Sequence, residues 1–224
     1  MRSDWEFYAN VLKLAHWGNK VNCCFLCLAS IANVALKYSD FGPRAGWRNT
    51  RRTHASWKAE LLAAGLDMSV LFQVCLGLSL ACVMIDTLHT IDLGITSHVV
   101  GNIIMLIAQR RCGGTIEERV SKPGEQLEEW CREKKCGSIL RGRLTYARIR
   151  SQSGLPKLKG KAMSVRKLLE WAHEKAKEEG LEVQVIALAQ LLIEFYDKIT
   201  EEPLHMSEAA CNRIREIGNL FCNI

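Results

Sequence analysis

Apolar residues recur every three to four positions through the last third of the chain, the pattern of helices that pack one face against a core. A glycine and a proline, Gly180 and Pro203, separate three such stretches. The stretches are residues 160–179, 182–200 and 207–222. Short connections between amphipathic helices favour antiparallel neighbours, so the sequence predicts a C-terminal helical bundle.

The earlier parts of the chain also show helical patterns. Residues 115–135 carry an apolar face that Pro123 and Gly124 interrupt. Residues 3–14 form another predicted helix, with Ser3 as its N-cap. We therefore expect a mainly α fold with little or no sheet. Three regions are predicted: residues 1–112, a basic connecting region at 113–160, and the bundle at 161–224.

The central residues 59–109 contain no lysine or arginine, although Asp86, His89, Asp92 and His98 lie within this apolar run. Burying an ionisable group is costly unless a partner satisfies it. We therefore expect these side chains to be paired or to bind a ligand.

Membrane insertion is an alternative for the same part of the chain. Residues 69–85 are uncharged and residues 93–108 are nearly as apolar, which approaches the length of a membrane span. Polar side chains such as Gln73, Asn102 and Gln109 would be costly in lipid. We therefore expect core elements, and a small helical membrane or scaffold protein remains the alternative.

The charge of the chain is distributed unevenly. A hydrophobic content of 48% supports a folded core, and the formal net charge of +6 comes mainly from one region. Residues 134–169, here called the basic segment, contain eleven lysines and arginines and no acidic residue. Arginines in the loop-like residues 38–57, including Arg48 and Arg52, are expected to form a solvated basic surface. Contact with phosphates and bases, aided by the interleaved Trp47 and Trp57, is the alternative.

A long segment with one sign of charge is typical of contact with the phosphate backbone of a nucleic acid. A plain basic surface and an acidic protein partner are the alternatives. The expected nucleic-acid-binding residues are Arg141, Arg143, Arg148, Arg150, Lys157, Lys159 and Lys161.

The ten cysteines are irregularly spaced, and the N-terminus has no signal peptide pattern. Both features favour free thiols in a reducing nuclear or cytoplasmic compartment. Cys24 and Cys27 form a C-x-x-C motif, whose spacing lets two thiolates reach one Zn²⁺ ion. No second C-x-x-C accompanies it, so ordinary free cysteines remain the alternative.

Asp86 and His89 are three residues apart, which places them on one face of a helix. Such a pair can bind a metal ion, or the aspartate can fix the histidine tautomer through a hydrogen bond. Asp4, in the first turn of the N-terminal helix, is either a helix-dipole partner or a catalytic carboxylate.

The order of several short motifs resembles transposon-derived open reading frames and, more distantly, RNase H-like transposases of the CACTA and related groups. The motifs are S-D-W-E-F-Y-A-N-V-L-K-L, C-F-L-C-L-A, Y-S-D-F-G-P-R-A-G-W-R-N-T, M-I-D-T-L-H-T-I-D-L-G-I-T-S-H-V-V-G-N and L-P-K-L-K-G-K-A. In those families an acidic residue, a C-x-x-C insertion and a D-x-x-H motif follow one another. Asp4, Cys24 with Cys27, and Asp86 with His89 match this order.

The resemblance implies a site in which three carboxylates hold two Mg²⁺ ions for attack on a phosphodiester. It assigns catalysis to Asp4, Asp86 and His89, and zinc binding to Cys24, Cys27 and His89. The first catalytic acid and most of the sheet have no counterpart here. We therefore expect the helical insertion and C-terminal helices of a transposase, catalytically inactive but retaining non-specific DNA binding, with an active metal-dependent nuclease as the alternative.

Overall fold

The computed structural model describes residues 6–15, 19, 21, 23–83, 87–149, 154–201 and 206–224. The chain divides into two compact units, Met1–Asp86 and Thr87–Ile224, here called the N-terminal and C-terminal units. The prediction of a mainly α fold is confirmed. Within the described residues, β pairing is confined to two isolated bridges, Cys27 with Arg51 and Ser30 with Lys37.

The N-terminal unit consists of short elements. Two α-helices, α1 at His54–Ala63 and α2 at Val70–Val74, are its longest regular pieces together with a π-helical turn. The π-helical turn is Phe7–Val11, and single 3₁₀ turns occupy Val34–Leu36, Gly46–Asn49 and Leu80–Cys82.

Side chains that cap or pack these short elements explain where they begin and end. Thr53 and Ser56 form a reciprocal capping box at the start of α1. The helix predicted over 3–14 ends at Val11 with Leu12 as its C-cap, and Lys13 then adopts a positive φ of 58°. Trp57 packs edge-on against Phe72 at a ring-centroid distance of 5.1 Å, within a small aromatic core.

The C-terminal unit is built from long helices. A π-helical stretch, Leu88–Thr96, continues directly into α3 at Ser97–Arg110. The helices that follow are α4 at Ile116–Glu133, the short α5 at Tyr146–Ile149, α6 at Ala162–Glu178, α7 at Val183–Glu201 and α8 at Glu208–Asn223. The last three confirm the predicted C-terminal helices, with α6 packed on α7 and α7 on α8.

Helix α4 corrects one expectation, because it continues through Pro123 without a break. Proline removes one backbone donor, but here its ring is buried and adds apolar contact. Gly124 lies against Leu144, where an added Cβ would stand 3.1 Å from the Leu144 Cβ. A larger residue at this position would therefore press against Leu144 where the basic segment crosses α4.

Helix α3 forms the centre of the C-terminal core. Ile103, Ile104 and Ile107 are buried there, as is Trp171 from α6. At the end of α3, the Arg110 guanidinium donates hydrogen bonds to the Glu179 and Gly180 carbonyls at 2.7 and 2.8 Å. These bonds satisfy carbonyls at the end of α6, which α-helical bonding leaves free.

The continuous helix Leu88–Arg110 has 23 residues and is long and apolar enough to cross a membrane, as far as the described residues show. In its most apolar window, 44% is buried inside the unit. Length and composition alone are shared by core helices and membrane spans. The expectation that the protein does not insert into a membrane stays a prediction.

Candidate functional site

The C-x-x-C motif forms a turn, residues 24–27, here called the dithiol turn. The Leu26 amide donates a hydrogen bond to the Cys24 sulfur at 3.3 Å. The neighbouring Cys23 thiol instead donates to the Ala29 carbonyl at 3.0 Å. The turn therefore presents two adjacent sulfurs rather than three.

Arg52 holds the dithiol turn from inside the N-terminal unit. Its guanidinium donates to the Cys24 carbonyl at 2.5 Å and also to the Cys27 carbonyl. Its Nε forms an ion pair with Glu60 at 2.9 Å, and the arginine side chain is only 4% exposed. The expectation that Arg52 belongs to a solvated basic surface is wrong. Its guanidinium can be buried because the carbonyls of Cys24 and Cys27 accept its hydrogen bonds inside the fold.

The pKa values of the two thiols are shifted in opposite directions. Hydrogen bonding from the Cys27 thiol, followed by the Leu26 and Cys27 amides and the charge of Arg52, lowers the pKa of Cys24 to about 6 against the opposing effect of burial. The same thiol contact, together with burial, raises the pKa of Cys27. Contact between the thiols therefore favours loss of one proton by the pair and retention of the other.

Zinc binding by this turn stays a prediction. Structural zinc sites use four nitrogen or sulfur ligands. In the part of the chain that the structure describes, no group of three or more potential metal ligands exists. His89, the third ligand that the resemblance implied, belongs to the C-terminal unit.

The predicted catalytic residues are only partly described. Asp4 and Asp86 lie outside the described residues, so the Asp86–His89 pair stays a prediction. His89 is exposed on the π-helical stretch.

Asp92, on the same stretch, has a partner that the sequence did not indicate. The Tyr196 hydroxyl on α7 donates a hydrogen bond to its carboxylate. Thr96 lies 2.8 Å from the same hydroxyl, and the Arg166 guanidinium sits 4.2 Å above the Tyr196 ring. Burial, followed by the Asp92 carboxylate, raises the pKa of Tyr196. The contact satisfies one ionisable group of the apolar run, as expected.

The basic segment is fixed to α3 by backbone contacts. The Leu158 amide donates to the Ser97 carbonyl at 2.8 Å, and His98 lies 2.9 Å from the Pro156 carbonyl. Gly101 leaves no space for a side chain, since an added Cβ would lie 2.9 Å from the Leu158 nitrogen. The segment is therefore held on the bundle even though it is mostly irregular before α6.

Folding brings the backbones of distant basic residues of this segment together. The Lys159 amide donates to the Arg148 carbonyl at 2.7 Å. The Arg148 guanidinium in turn donates to the Arg141 carbonyl. Arg141, Arg143, Lys159 and Lys161 are exposed, Lys157 is half-buried, and Arg150 lies outside the described residues.

A pocket of about 530 Å³ lies between α4 and the start of the basic segment. Its apolar wall includes Leu127, Ile139 and Leu144, and Cys131 lines it as well. Arg132, Lys135 and Arg143 give its lining a positive charge, which Glu128 partly offsets. The pocket was not expected from the sequence, because its two walls come from separate elements.

No family model, curated protein or solved structure matches this chain. The function is therefore argued from the residues and their geometry.

Proposed function

We propose that the chain is a remnant of a transposase-like mobile-element protein, catalytically inactive, whose C-terminal unit binds the phosphate backbone of nucleic acid without sequence preference. The observation that carries the binding proposal is the convergence of Arg141, Arg148 and Lys159 through backbone contacts of the basic segment. The transposase origin rests on the order of the sequence motifs.

The chemistry of the segment favours a polyanionic partner. None of the exposed cations Arg141, Arg143, Lys159 and Lys161 forms an ion pair within the described parts of the chain. Because no aspartate or glutamate occurs between residues 134 and 169, the segment cannot neutralise itself. Lysine and arginine release the counterions that condense on nucleic acid, which favours binding irrespective of base sequence.

The pre-formed backbone lowers the cost of binding. Hydrogen bonds from Lys157 to the Ile149 carbonyl and from Leu158 to Ser97 already order the segment. A disordered tail with the same charges would lose conformational entropy on contact with the phosphates. We therefore expect moderate affinity that weakens steeply with salt.

Fluorescence anisotropy with a labelled duplex of arbitrary sequence, measured over a range of salt concentrations, tests this proposal. Replacing Arg141, Arg143 and Lys159 with glutamate should lower the affinity more than tenfold and flatten the salt dependence. A matched control reverses three cations of the same unit outside the segment, Lys122, Lys177 and Arg215. Equal losses in both variants, or no binding of the wild type at low salt, would contradict the proposal.

Supercoiled DNA tests the inactive state. The wild-type chain should leave it intact in Mg²⁺. Nicking that Asp86→Ala abolishes would overturn this part of the proposal and support the nuclease alternative, with Asp4, Asp86 and His89 as its site.

A further inference from the structure

The dithiol turn has the arrangement that reversible sulfur chemistry requires. Cys24 and Cys27 are half-buried and separated by only two residues, and the Arg52 guanidinium binds the backbone carbonyls of both. Among the described residues they have no third metal ligand. Two thiols in one short turn are the reactants for an intramolecular disulfide.

We propose that Cys24 and Cys27 form a reversible disulfide by exchange with a low-molecular-weight disulfide. This proposal concerns the N-terminal unit and does not depend on nucleic-acid binding.

The sulfur atoms have different roles in the exchange. The Cys24 thiolate attacks one sulfur of the small disulfide, whose S–S bond breaks and whose other half leaves as a thiolate. The Cys27 thiol then loses its proton and attacks the Cys24 sulfur, releasing the second half of the small disulfide. One S–S bond is formed and one is broken, and two electrons pass from the protein to the small disulfide, which leaves as two thiols.

Contacts of the turn assign Cys24 as the attacking sulfur. The Leu26 amide points at Cys24, and an N–H donor stabilises negative charge on the sulfur that accepts its hydrogen bond. Cys27 follows Cys24 by three positions in the same turn and is assigned as the resolving thiol.

The turn is held in position before any reaction. The Arg52 amide donates to the Leu26 carbonyl at 2.9 Å, and the Leu28 amide donates to Thr50 at 3.0 Å. The Arg52 guanidinium binds the carbonyls of both cysteines. Because these bonds fix the backbone on either side of the thiols, the second step is an intramolecular reaction between two groups of one ordered turn.

Mass spectrometry of the full chain tests the proposal after incubation with mixtures of oxidised and reduced glutathione, followed by alkylation of the remaining thiols. In the wild type, peptide mapping should find a Cys24–Cys27 disulfide that forms before other cysteines are oxidised and that excess reduced glutathione reverses. Cys27→Ser should trap a mixed disulfide on Cys24, whereas Cys24→Ser should trap little on Cys27. Cys82→Ser, which removes an exposed thiol hydrogen-bonded to Ser79, should leave the exchange unchanged.

Three results would overturn the proposal. The first is oxidation of other cysteines before this pair, and the second is a mixed disulfide distributed equally between the two single variants. The third is stoichiometric zinc in the purified chain that protects both thiols from alkylation. The wild-type peptide map decides the question even if a serine variant fails to fold, and circular dichroism of each variant identifies such a failure.

Discussion

The two units of this chain achieve order by different means. In the C-terminal unit, long amphipathic helices bury a continuous apolar core that includes Ile104 and Trp171. In the N-terminal unit, short helices and turns surround a small aromatic core, and the irregular backbone is held by side chains such as Arg52 and Thr50. Loss of packing should therefore damage the C-terminal unit most, whereas loss of a single polar side chain should damage the N-terminal unit most.

The largest effect is expected at Trp171, which is fully buried in the C-terminal core. Trp171→Ala should lower the free energy of unfolding of that unit by about 3–5 kcal/mol, since it removes apolar contact and leaves a cavity. Urea denaturation followed by circular dichroism measures the change. Trp47→Ala, at a partly exposed position of the N-terminal unit, serves as control and should leave the helical transition in place.

In the N-terminal unit, the largest effect of a single substitution is expected at the buried polar side chain of Arg52. Arg52→Met should destabilise this unit by about 2–3 kcal/mol, because buried carbonyls lose their charged donor. Hydrogen exchange with mass spectrometry should show faster exchange in peptides covering residues 24–28. Arg51→Met, at the exposed neighbouring position, should have little effect. Similar exchange in both variants would remove the distinction between the units.

An intermediate effect is expected where the basic segment meets α3. Gly101→Ala places a Cβ 2.9 Å from the Leu158 nitrogen, so it should cost about 1–3 kcal/mol and also weaken nucleic-acid binding. Gly218→Ala, on α8 with no atom within 4 Å of the added Cβ, should stabilise the unit by up to about 1 kcal/mol. Thermal unfolding distinguishes these opposite signs, and equal shifts would contradict the tight contact.

The smallest effect at neutral pH is expected for Tyr196→Phe, about 1 kcal/mol for the lost hydrogen bond to Asp92. At alkaline pH the variant becomes more informative. Burial raises the pKa of Tyr196 in the folded state, whereas an unfolded tyrosine ionises near pH 10. Only the unfolded chain then loses this proton, so wild-type stability should fall as the pH rises above about 10.

Urea titrations at several alkaline pH values measure this slope. The slope should be smaller in Tyr196→Phe, because the variant has no hydroxyl to titrate at this position. Parallel slopes would show that Tyr196 ionises alike in both states.

The difference between the units also explains what the sequence could predict. Helices α4, α6, α7 and α8 were predictable because apolar residues repeat at the helical period over many turns. The N-terminal unit has few such repeats, and its bonds join residues 24–28 to 50–52, a pairing that local patterns do not encode.

The same limit applies to the candidate sites. The C-x-x-C spacing indicated a pair of sulfurs, but the buried role of Arg52 depends on a carbonyl 28 residues away. Asp92 was expected to need a partner, yet Tyr196 lies 104 residues later in the chain. Both contacts form only in the tertiary structure. The residue types therefore indicated that a buried charged group needs a hydrogen-bond partner, but they did not indicate which residue that partner is.

Asp92 lies in the π-helical stretch Leu88–Thr96. The direction in which its side chain points therefore depends on how many residues this stretch contains, as well as on which residues they are. Each π-helical hydrogen bond spans one residue more than an α-helical bond. Deleting a residue such as Gly94 would return the stretch toward α-helical spacing, and each residue of an α-helix turns by about 100°. Asp92 would then rotate away from Tyr196, although no other residue of the chain had been substituted. A single deletion could thus separate this pair without altering either member.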